Sequence, residues 1–74
     1  MLIIAIGHGT NTDSYTCSCS AKNSEVDADS LKSVMKYLGK KHPCCNNKKN
    51  VDELIVVKDE DVVAHYTWED GLGE

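Results

Sequence analysis

With 74 residues the chain has room for one domain, and a domain this short buries only roughly 60% of the surface its unfolded form exposes. Hydrophobic residues at 41% and charged residues at 27% exclude a disordered chain. The net charge of −4, from 12 acidic and 8 basic side chains, argues against general nucleic-acid binding, which needs a basic field to displace phosphate counterions.

Leu2-Ile3-Ile4-Ala5-Ile6 is a β-branched run ending at Gly7 and reads as a strand. It lacks a basic leader and is too short for a signal peptide or a membrane span. A cytoplasmic protein is therefore expected, with its four cysteines as thiols or metal ligands rather than disulfides. After the turn-rich stretch Gly7 to Asp13, Ser14 to Ser20 alternates strictly. Tyr15, Cys17 and Cys19 share one face, and Ser14, Thr16, Ser18 and Ser20 share the other, the pattern of a half-buried strand.

Ser24-Glu25-Val26-Asp27 has the form of a helix N-cap followed by acidic residues at the positive helix start. Leu31, Val34, Met35 and Leu38 then recur at helical spacing, with Gly39 as a natural stop and Pro43 forbidding continuation. The expected helix covers about residues 25 to 38. A polar loop follows from His42 to Asn50. Glu53 to Lys58 and Val62 to Trp68 read as a second hairpin around Asp59-Glu60-Asp61, whose lack of glycine predicts a loose connection rather than a two-residue primed turn. Val62, Ala64, Tyr66 and Trp68 should share one face of the last strand. Residues 69–74 form a polar tail expected to fray.

The expected fold is α+β: an antiparallel sheet of two β-hairpins flanking one helix (ββαββ, residues 1–68), with the helix packed on one face. Ile3, Ile55, Val57 and Val63 are then apolar residues left for the other face. Those leftovers suit a partner protein or a second copy of the chain, a homodimer.

Cys17 and Cys19 continue the face begun by Tyr15 and read as small core hydrophobes. Running back along the second strand, the helix should carry Cys44 and Cys45 away from them and toward the first hairpin turn. That places His8, His42, Cys44 and Cys45 as a candidate His2Cys2 zinc site, the alternative to a metal-free domain. Gly7-His8-Gly9-Thr10 follows a strand as phosphate loops do, but another strand comes next where such a loop would open a helix. Ile6 to Thr10 resembles the strand-end Gly-His-Gly-Ser/Thr of sirohydrochlorin-type chelatases over a handful of residues, and the chain is too short for their larger α/β architecture.

There is no nucleophile elbow, H-E-x-x-H or C-x-x-C in the sequence, so a non-enzyme is expected. Asp59, Glu60, Asp61, Glu69 and Asp70 form an acidic surface for a protein partner, itself basic. The leading expectation is a small adaptor or inhibitor acting by surface complementarity. Nucleic-acid binding through Lys40, Lys41, Lys48 and Lys49 ranks third.

Overall fold

The computed structural model describes residues 1–8, 13–42 and 51–72. Strands β1 (Leu2–His8) and β2 (Ser14–Ser20), helix α1 (Leu31–Lys41), and strands β3 (Val51–Lys58) and β4 (Asp61–Tyr66) follow in that order, the ββαββ fold the sequence predicts. The four strands form one antiparallel sheet in the order β2-β1-β3-β4, so the two hairpins join through their first strands. Rows of aligned residues cross it, such as Cys17–Ala5–Leu54–Tyr66 and Cys19–Ile3–Val56–Ala64.

These two rows face the helix. Ile3, Ala5, Leu54 and Val56 join Val34, Met35 and Leu38 in the buried core, with Cys17, Cys19, Ala64 and Tyr66 packed at its margin. Ile3 is thus a core residue and not one left for the other face. From Leu2 to Ile6 every position of β1 is apolar, so alternation carries no phase, and pairing with Cys17 and Cys19 is what turns Ile3 and Ala5 inward. The outer face of β1 and β3 carries Leu2, Ile4, Ile6, Ile55 and Val57 instead. A register shift between Val56 and Val57 pairs Val57 with Val62 and leaves Val63 unpaired, so Val62 does not continue the Ala64–Tyr66 face.

The helix begins six residues later than the sequence suggests. Ser30, not Ser24, is the N-cap, and its hydroxyl accepts the Ser33 amide at 3.2 Å. Residues before it cap one another instead: Asp27 accepts the Asp29 amide, Glu25 accepts the Lys22 amide, and Ser33 accepts the Asp27 amide. Short polar side chains offer the backbone this alternative to a helix, while Val26 is buried on its own account. At the other end α1 runs through Gly39 to Lys41, and the His42 amide closes it on the Leu38 carbonyl at 2.8 Å. His42 is extended, the conformation favoured before a proline.

Two further expectations are corrected. The β3–β4 connection is a two-residue turn, with Lys58 paired to Asp61 and both Asp59 (φ 51°) and Glu60 (φ 71°) in the left-handed region. That is the primed hairpin geometry, taken up here without glycine. β4 ends at Tyr66, so Trp68 is not on its inner face. Trp68–Asp70 form a 3-10 helix with a Thr67–Asp70 capping box, and Leu72 beyond it is 1% exposed in the core. The Tyr66 hydroxyl, donating to the Ala28 carbonyl, ties the end of β4 to the segment before α1.

Replacing Ser30 with Ala should cost about 1 kcal/mol, whereas Ser24→Ala should stay within about 0.5 kcal/mol. Equal effects in urea unfolding would count against this N-cap. Leu72→Ala should remove about 2–5 kcal/mol, a large fraction of what so small a domain has, as read by the urea midpoint.

Candidate functional site

The surface that combines exposed apolar side chains with charge runs along the β4 side. Among the described residues, Val62 (63% exposed), Trp68 (62%) and Val63 (44%) are three of four large hydrophobics on the exposed surface; the fourth is Leu2. Asp59, Glu60 and Asp61 lie at one end of β4, and Glu69 and Asp70 beyond the other, all exposed. Six residues of strand separate the two acidic ends by about 20 Å. Asp70 has a local task as well, since its carboxylate accepts the Thr67 amide at 2.8 Å. The sequence pointed to the carboxylates. It also left Val63 for a partner surface but missed Val62 and Trp68, because their exposure depends on the β4 register shift and on the 3-10 helix.

Sheet edges differ in how they are finished. On β2, the Tyr37 hydroxyl donates to the Ser20 carbonyl at 2.9 Å and His42 Nε2–H donates to the Ser18 carbonyl at 3.0 Å. Two carbonyls of that edge are thereby occupied by helix side chains, which blunts it against further strand pairing. Lys41 lies 5.6 Å from the centre of the Tyr37 ring and helps hold it there. On β4 the exposed residues are Asp61, Val62, Val63 and His65.

Of the four sequence-derived metal ligands the structure describes His8 and His42, and each has a different partner. His42 is bound to Ser18, which lies between Cys17 and Cys19, so the helix end comes back to those two cysteines instead of departing from them. The late helix start explains this: residues 21–30 first cross to β4, and α1 then runs back toward β2. His8 sits on the outer sheet face opposite Ser14, and its Nδ1–H donates to Asp52 at 3.0 Å. Ser14 and Ser18 are four strand positions apart, about 13 Å, which sets the spacing between the two histidines' anchor points. Cys44 and Cys45 lie outside the described residues, and among the described residues no three potential ligands cluster.

His65 Nε2 lies 3.4 Å from Glu53 Oε1, so the outer face has two imidazole–carboxylate pairs near one end. A carboxylate that orients an imidazole is one element of acid–base chemistry, but both members of each pair here lie partly exposed on a sheet surface. An open groove of about 600 Å³ lies elsewhere, lined by Met1, Glu25, Asp27, Asp29, Ser33 and Lys58 among others.

Cys17 and Cys19 are half-buried thiols packed against the core. Burial pushes the Cys19 thiol above its ordinary value, Lys41 offsets part of the effect, and Cys17 adds to it. The Tyr66 hydroxyl is raised by burial and then by Asp29, Asp27 and Asp70.

Comparison of the chain with protein-family models, with curated proteins and with solved structures finds no match. Among the described residues no helix is long and apolar enough to cross a membrane.

A pH dependence follows from Cys19 and Tyr66. Both are neutral when protonated and hold their protons more tightly in the folded chain. Their contribution is fully present below the unfolded values, about 8.5 and 10, and is lost as pH rises through the folded ones. The urea midpoint should therefore fall above about pH 8.5, and Cys19→Ser and Tyr66→Phe should each flatten the decline. A slope identical in the variants and the parent chain would refute this assignment.

Proposed function

We propose that the protein is a small non-catalytic adaptor or inhibitor that docks a basic segment of another protein along the β4 side. Val62, Val63 and Trp68 supply apolar contact, and Asp59, Glu60, Asp61 and Glu69 supply the opposing charge. Trp is enriched among residues that dominate binding energies, and a rim of charge steers encounter and selects the partner.

The β3–β4 turn carries this reading. An Asn-Gly pair would fit positive φ with little strain, yet Asp59 and Glu60 occupy those positions. Asp59 tolerates this backbone, but it costs Glu60 about 1–2 kcal/mol, and Asp61 adds a third like charge alongside. A turn that sets stability aside in favour of negative charge beside exposed valines is what a surface kept for recognition requires.

Trp68 is the single tryptophan, so its fluorescence reports on the surface directly. A peptide of alternating lysine and leucine should shift its emission, and the shift should weaken as salt rises. Asp59→Asn with Glu60→Gly should raise the urea midpoint while weakening the peptide at least about tenfold, a difference of about 1.4 kcal/mol. Undiminished affinity in that variant, or no emission change in the parent chain, would reject the proposal.

A further inference from the structure

Cys17 and Cys19 are nucleophilic side chains that the proposed docking surface leaves unused. They sit two positions apart on β2 and share its inner face, paired with Ala5 and Ile3 of β1. Both are half-buried at the margin of the core, so an ion can reach them while one flank stays apolar. Two residues of strand separate their Cα atoms by about 6.7 Å. Two metal–thiolate bonds of about 2.3 Å each set the sulfurs about 4.6 Å apart. Changes of χ1 lean the two side chains along the strand toward each other, so that span is met without moving the backbone.

We propose that Cys17 and Cys19 bind one soft monovalent cation, copper(I), as a two-coordinate dithiolate. The donor set selects the ion. Structural zinc takes four ligands, and among the described residues no three potential ligands cluster. The residues beside the pair on β1, Ala5 and Ile3, have no donor to add. Thiolates favour soft ions, and copper(I) is satisfied by two of them in line. Calcium and magnesium, which want oxygen, gain nothing here.

Binding releases two thiol protons to solvent and adds one positive charge, so the complex carries one net negative charge. Lys41, whose charge is felt at Cys19, offsets it. His42 holds the end of α1 to this stretch through the carbonyl of Ser18, the residue between the two ligands, at 3.0 Å. That bond and the β1 ladder fix the backbone of both ligands, so little order has to be imposed when the ion arrives. The pair lies three strands from β4, about 14 Å across the sheet, and does not depend on the adaptor reading above.

Titration of the full chain, reduced and free of oxygen, against the coloured copper(I)–bicinchoninate complex tests this. Because the chain has four cysteines, it is made in the Cys44→Ser/Cys45→Ser variant, which should withdraw one equivalent of copper(I). Adding Cys17→Ala or Cys19→Ala keeps an apolar group at the core margin. Each should weaken binding at least about a hundredfold, since even the outer partners of metal ligands are worth about 10–100-fold. Should the serine background lose its fold, the same two alanine changes are read in the parent chain. X-ray absorption of the loaded protein should count two sulfur neighbours, a reading independent of how the alanine variants fold. Copper(I) lost with Cys44 and Cys45, retained by a folded chain lacking Cys17 or Cys19, or surrounded by anything other than two sulfurs would overturn the proposal.

Discussion

Burial of Val34, Met35 and Leu38 against Ile3, Ala5, Leu54 and Val56 is the contact on which the rest of this small molecule depends. One helix supplies one apolar stripe, and a stripe of that width can close only one side of a four-stranded sheet. The remaining features follow from that shortage of covering material. Leu72 is drawn back into the core by a capped 3-10 helix, and Tyr66 reaches the Ala28 carbonyl, so the ends of the chain's elements supplement what α1 alone cannot seal. Among the described residues no helix lies on the outer face, which is apolar along β1 and β3.

The path of α1 also makes the two sheet edges unequal. Because the helix starts beside β4 and finishes beside β2, its last turns bring Tyr37 and His42 to the β2 carbonyls. That edge is closed by hydrogen bonding. The β4 edge is treated with charge, through carboxylates at both of its ends and a register shift at Val63. Charge at an edge discourages pairing with like chains while remaining attractive to a basic one. Protection and recognition are thus compatible uses of the same residues.

How much of this was legible in the sequence depended on whether the pattern was local. The strict alternation of β2 and the helical spacing of Leu31, Val34, Met35 and Leu38 identify two elements and their buried faces without further information, and with the β-branched runs they determine the α+β class and the ββαββ order. The carboxylates of the proposed surface are visible for the same reason: a run of like charge is a property of neighbours in the chain.

Where two readings were locally equivalent, only tertiary packing chose. β1 is apolar in both phases, and its register with β2 decided that Ile3 faces in and Ile4 faces out. Ser24 and Ser30 are both sound N-caps, and the crossing of residues 21–30 to β4 selected the second. That choice in turn sent His42 to Ser18 and separated it from His8, which no spacing rule could have revealed. Local sequence sets which residues prefer which backbone. Phase, register and the meeting of distant side chains depend on contacts formed only when the sheet and helix close on each other.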